Sequence, residues 1–196
     1  MSKVLKKSNY SAGFTLAETL VAVVILVLIS AAALPAAMNA YRNAVDAANA
    51  QVLLSTTVNA LRDELSTAWN VSVSDGKTIT YQSAATGDKS IISTDGIRIM
   101  LQEYSRETGE DIPGWWGGST PPAPSPRPLV SDAMRRTTRN SNNYMTVTYS
   151  AASFDGTYVT ITGLQVKRGD SVLAKMSATG LLIRVMTAEP TVGTGS

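Results

Sequence analysis

The sequence predicts an α+β fold: one long N-terminal helix packed on a four-stranded antiparallel β-sheet. Three observations predict it. From Thr19 to Tyr41 there is no charged residue, and Leu20 to Ile29 is almost purely aliphatic. Beyond Tyr41, apolar residues recur at helical spacing as far as Trp69. The last third of the chain consists of β-branched or alternating runs separated by turn dipeptides.

Residues 1–13 read as a leader. Lys3, Lys6 and Lys7 are its only charges, and they hold this end in the cytoplasm by the positive-inside tendency. The leader ends at Gly13, and Phe14-Thr15-Leu16-Ala17-Glu18 follows. The 23 uncharged residues that follow Glu18 make, at about 1.5 Å each, a helix of roughly 34 Å, long enough to cross a bilayer core. A carboxylate at the start of such a run costs up to about 3 kcal/mol at mid-bilayer and less near an end. A secretory signal peptide, with small residues around Ala31 to Ala37 for cleavage, has no need of Glu18. Nor has a plain single-span anchor.

On these residues the chain resembles the type IV pilin and pseudopilin family. The family signature is a short basic leader ending in Gly, then Phe-Thr-Leu, a variable position, Glu, and about twenty apolar residues. The resemblance covers roughly residues 1–45. Pro35 falls where many members carry a helix proline, and Ala17 is smaller than the Ile or Val common at its place. The resemblance implies that a prepilin peptidase cuts between Gly13 and Phe14 and methylates the new amine of Phe14. It gives Phe14, Glu18 and Pro35 to subunit assembly. Glu18 would meet the Phe14 ammonium of an axially staggered neighbour, a pairing that methylation preserves because the charge stays. The helix would unwind locally near Pro35 on entering a filament. Residues 14–41 would be the transmembrane and filament-core helix, and residues 42–196 an extracytoplasmic head. The implied partners are the peptidase/methyltransferase, other pilin subunits through their N-terminal helices, and membrane lipid before assembly. The implied location is the cytoplasmic membrane, single-pass with the head outside, and then an extracellular filament.

Within the helix, Pro35 removes a backbone hydrogen bond and crowds the carbonyl of Ala31, at a cost of about 3 kcal/mol in a helix interior. Past Tyr41, Leu54, Val58, Leu61, Leu65 and Trp69 form a stripe at spacings of four, three, four and four, with Asn43, Asp46, Asn49, Arg62 and Asp63 on the other faces. The stripe predicts that this half of the helix covers a sheet. Asn70 to Gly96 carries a weaker pattern: Thr78–Tyr81 and Ile91-Ile92 suit short strands, split by Gly76 and Gly87. Ile97 to Tyr104 alternates but suits a helical turn as well.

Residues 112–129 hold six of the eight prolines, with Trp115 and Trp116, and predict a surface loop. The two tryptophans are either a ligand platform for a glycan or peptide, or a cap folded back on the head. Arg127, Arg135, Arg136 and Arg139 form a basic cluster that suits either phosphate contact or a solvated face. Downstream, Tyr144–Tyr149, Thr157–Val166, Ser171–Met176 and Leu181–Met186 predict the four strands as a meander. Asp155-Gly156, Gly169-Asp170 and Thr179-Gly180 are the turns. Val159 and Ile161 have opposite parity to Leu164 and Val166, so a bulge is expected at Gly163. The tail from Thr187 is polar.

Composition narrows the function. The chain has no cysteine and no histidine, which excludes disulfides, thiolate or His-ligated metal sites, and histidine-based acid–base catalysis. Without the three leader lysines the 17 basic residues fall to 14 against 15 acidic, so no basic field argues for nucleic acid. Asp155 and Asp170 sit in ordinary Asp-Gly or Gly-Asp turns, so no metal and no cofactor is expected. The sequence therefore points to a structural subunit, not an enzyme. A membrane-anchored or secreted binding module using the Trp/Pro-rich loop is the alternative.

Overall fold

The computed structural model describes residues 15–84, 87–104, 125–137 and 144–186. The chain divides into two units, one up to Asn43 and one from Ala44 onward. A single helix, α1 (Leu16–Ser66), supplies the described part of the first unit and opens the second.

In the first unit the long apolar run of α1 is exposed. Leu20, Val21 and Val23 through Ile29 are all exposed, and none of the most apolar 18-residue window is buried. Pro35 lies inside the helix, which continues through it.

In the second unit α1 buries Asp46, Ala50, Leu53, Leu54, Thr57, Leu61 and Leu65. The expected stripe is present but shifted: Leu53 and Thr57 are fully buried while Val58 is only partly so. Thr57 satisfies its hydroxyl by donating to the Leu53 carbonyl one turn back, at 2.8 Å. Trp69 leaves the stripe, because α1 ends at Ser66 and strand β1 (Ala68–Ser74) follows at once. There Val71 and Val73 alternate with exposed Ser72 and Ser74, a strand period. The three-residue turn Asp75-Gly76-Lys77, with φ of 54° at Asp75 and 60° at Gly76, then sends the chain back with Ser74 paired to Thr78.

Strands β2 (Thr78–Ser83), β3 (Lys89–Thr94), β4 (Ile99–Glu103) and β5 (Arg127–Pro128) complete an antiparallel sheet ordered β1-β2-β3-β4-β5. The alternation within Ile97–Tyr104 is thus that of a strand, Ile99–Glu103, not of a helical turn. A single 3₁₀ turn, Asp132–Arg135, follows. The remaining strands are β6 (Thr146–Thr148), β7 (Ala151–Phe154), β8 (Tyr158–Thr162), β9 (Gln165–Arg168), β10 (Ser171–Lys175) and β11 (Leu181–Arg184). They form two three-stranded sheets, β10-β9-β6 and β11-β8-β7.

The expected four-stranded meander is therefore corrected to a sheet of five and two sheets of three. The run Thr157–Val166 is two strands, because at Gly163 the chain turns a corner instead of forming a bulge. Its φ is +66°, and a Cβ there would lie 2.0 Å from the Ser150 hydroxyl. Ser150 donates both its N–H and its hydroxyl to the Thr162 carbonyl across this corner. The corner flips side-chain parity, so Val159 and Ile161 before it and Leu164 and Val166 after it are all buried.

The three sheets share one core with the second half of α1: Leu61 and Leu65 join Ile79, Ile92, Leu101, Val147, Ile161 and Val166. Tyr81 of β2 donates its hydroxyl to Glu64 of α1 at 2.9 Å. Asp46, fully buried on α1, pairs with Arg168 at the end of β9. A buried carboxylate without such a cation would be strongly destabilising.

Candidate functional site

The residues singled out by the sequence converge on the start of α1. The helix begins at Leu16, and Thr15 closes it: the Thr15 carbonyl accepts the Thr19 N–H, the first helical bond. The Thr15 hydroxyl oxygen accepts the Glu18 N–H at 3.3 Å. In return one Glu18 carboxylate oxygen accepts the Thr15 N–H at 3.1 Å and the Thr15 hydroxyl at 3.3 Å. This is a capping box, in which two of the otherwise unpaired N–H groups of a helix start are satisfied reciprocally. The Thr-x-x-Glu spacing that encodes it is legible at Thr15-Leu16-Ala17-Glu18. Glu18, given only a partner on a neighbouring chain by the sequence, also has one on its own.

Gly13 and Phe14 lie outside the described residues, immediately before the cap. Glu18 sits in the first turn, where a negative charge is also favoured by the helix dipole. Beyond it the described residues hold one helix long and apolar enough to cross a membrane. Pro35 occupies its interior. Chemically, this end of the chain offers a carboxylate held at a helix tip, followed by a surface that is favourable in lipid or against other apolar helices and unfavourable in water.

The other candidates separate. Trp115 and Trp116 lie outside the described residues. The stem that leads to them does not: Tyr104 donates its N–H to the Lys89 carbonyl, and Arg127 of β5 binds Glu103 of β4 through Nε and Nη2 at 3.1 and 3.0 Å. The basic cluster is taken apart. Arg127 has Glu103, Arg135 is buried with Asp132, Arg136 is exposed, and Arg139 lies outside the described residues. Arg135 is therefore a buried cation, contrary to either reading of the cluster.

Asp155 accepts the N–H groups of Thr157 and Tyr158 at 2.9 and 2.7 Å, which close its own turn and hold its carboxyl below the usual range. Among the described residues no three carboxylate, histidine or cysteine side chains come together.

A family model for the prokaryotic N-terminal methylation motif matches residues 8–34. No curated protein and no solved structure matches the chain. The matched stretch ends one residue before Pro35 and contains Gly13, Phe14, the capping box and most of the apolar run. Over residues 8–34, then, the chain carries the prepilin-type motif of type IV pilins and pseudopilins.

Proposed function

We propose that this protein is a structural subunit of a type IV pilus, or of a related secretion or DNA-uptake pseudopilus, and that it has no catalytic role. The observation that carries the proposal is the motif at residues 8–34 opening onto a helix whose most apolar 18-residue window has no buried residue. A prepilin peptidase cuts between Gly13 and Phe14 and methylates the amine of Phe14. Until it enters a filament the protein sits in the cytoplasmic membrane as a single span, the leader lysines inside before cleavage and residues 42–196 outside. In the filament the same apolar helices bury one another, and the Phe14 ammonium of one subunit meets Glu18 of the next. Pro35 marks where α1 gives way when helices pack, since its missing N–H already leaves one carbonyl unbonded.

N-terminal sequencing of the exported protein tests this: the expected first residue is methylated Phe14. Gly13→Val places a branched side chain where the peptidase needs none, and the expected product is an uncleaved precursor in the membrane. Normal maturation of that variant would sink the assignment.

A further inference from the structure

The segment from Ser131 to Thr137 is fastened to the head in an unusual way. Apolar side chains do little of it, for Ala133 and Met134 are both exposed. Where they face α1 they line an open cavity of about 240 Å³ with Asn49, Val52, Leu53 and Arg136, so close packing is missing there. What the segment buries is a cation, with the Arg135 side chain only 4% exposed, and the small polar Thr137 at its end.

That guanidinium ends a chain of alternating charges. Asp95, in the turn between β3 and β4, pairs with Arg98 Nε at 3.2 Å, and Arg98 Nη1 pairs with Asp132 at 3.0 Å. The other oxygen of Asp132 pairs with Arg135 Nη1. Arg135 Nε donates to the Met145 carbonyl at 2.9 Å, Nη2 to the Ile97 carbonyl at 3.4 Å, and the guanidinium lies over the Tyr144 ring. Asp132 thus faces Arg98 from the β3–β4 turn and Arg135 from its own turn; Asp95 faces Arg98; Tyr144 faces Arg135. The Arg135 carbonyl accepts the Met145 N–H, and the Ile97 carbonyl accepts the Val147 N–H, so the same few residues join the five-stranded sheet to β6.

We propose that residues 131–137 form an acid-sensitive latch, held on the head by the Asp95–Arg98–Asp132–Arg135 chain and released by acid while the sheets stay folded. Protonating Asp132 leaves Arg135 buried with two carbonyls and the Tyr144 ring but no counter-charge, and the cheapest relief is for the guanidinium to move out to water. It takes the segment with it, since little apolar surface holds it back. Asp95 points the same way. Partial burial pushes its carboxyl up, but the N–H groups of Arg98 and Ile97 and the Arg98 guanidinium outweigh this and hold it below the usual range. Its charge therefore favours the closed state above the ordinary carboxylate pKa of about 3.9, and that support is lost as pH falls through its lower folded value.

Amide hydrogen exchange on the full chain in detergent tests the latch, with rates corrected for the intrinsic effect of pH. In Asp132→Asn at neutral pH the Met134 and Met145 amides should exchange at least about tenfold faster than in the wild type, with Ile79 and Ile92 unchanged. On acidification of the wild type, Met134 and Met145 should lose protection at a higher pH than Ile79 and Ile92. Should Asp132→Asn not fold, Arg98→Met takes its place. With one cation facing Asp132 where there were two, the release of Met145 should move to higher pH. Unchanged protection in the variant, or acid loss at all four amides together, overturns the proposal.

Discussion

Glu18 has two roles that one substitution can separate. Within its own chain the carboxylate completes the capping box with Thr15. Between chains, on the pilin reading, its charge meets a neighbour's ammonium. Glutamine serves the box as well as glutamate, because its carbonyl can accept the Thr15 N–H. Glu18→Gln should therefore leave α1 starting at Leu16 and change monomer stability by only a few tenths of a kcal/mol. It also removes a charge from the edge of the span, so insertion should be equal or better. In the filament the ammonium loses its counter-ion. Losing one partner of a buried pair costs about 3–5 kcal/mol, and at about 1.4 kcal/mol per decade this is a drop in subunit affinity of more than a hundredfold. The amide carbonyl can still accept from the ammonium, which places the expected effect at the low end. Glu18→Ala should show the same assembly loss plus a frayed first turn, worth about 0.5–2 kcal/mol if it is like the loss of an N-cap. The assay is immunoblotting of sheared surface and membrane fractions from cells in which the variant is the only copy of this subunit. The expected pattern for Gln is cleaved, membrane-inserted protein missing from the sheared fraction. Wild-type incorporation of Glu18→Gln would refute the charge pairing; equal incorporation of Gln with loss of Ala would assign Glu18 to the cap alone.

Three further outcomes test the head. Asp46→Ala leaves Arg168 without its buried partner, and the expected loss of about 3–5 kcal/mol lowers Tm by roughly 6–20 °C in calorimetry; a double-mutant cycle with Arg168→Met should return part of the loss. Gly163→Ala forces a side chain into positive φ against Ser150 and should cost about 1–3 kcal/mol in denaturant unfolding, of which adding Ser150→Gly restores only the steric share. Burial pushes Tyr149 up to about 12, and burial, then the neighbouring Glu64 charge, raises Tyr81 further. Folding thus favours the protonated phenols, so their contribution to stability should be flat up to about pH 10 and fall above it as the unfolded state loses these protons first. In ultraviolet phenolate titration, Tyr149→Phe and Tyr81→Phe should each leave the absorbance change at pH 11 unaltered while the head stays folded.

The helix was legible because its evidence is local. A run of 23 uncharged residues and a stripe at spacings of three and four are read without knowing what lies opposite. The sheets were not, and particular residues show why. Trp69 continues the helical spacing of Leu61 and Leu65, yet belongs to β1, because Val71 and Val73 alternate and the Asp75-Gly76 turn commits them to a hairpin. Both patterns are present in the sequence, and only the pairing of β1 with β2 chooses between them. At Gly163 the parity break was visible, but a bulge and a corner break parity alike. What decides is Ser150 gripping Thr162 from 12 residues away.

Charge partners are harder still. Among the four arginines between 127 and 139, Arg127 reads as part of a basic patch only while its distant carboxylate is out of sight. Glu103 lies 24 residues from Arg127, and Asp132 reaches Arg98 across 34. Asp46 and Arg168 are 122 apart, and nothing near either announces the other. The motif at Gly13 to Glu18 escapes this difficulty for a physical reason. A peptidase that reads its substrate before assembly contacts a few consecutive residues, so recognition requires no tertiary neighbours and is written in sequence order. The latch at Asp132 depends on four charges from two separated segments, and it becomes visible only once the strands have brought those segments together.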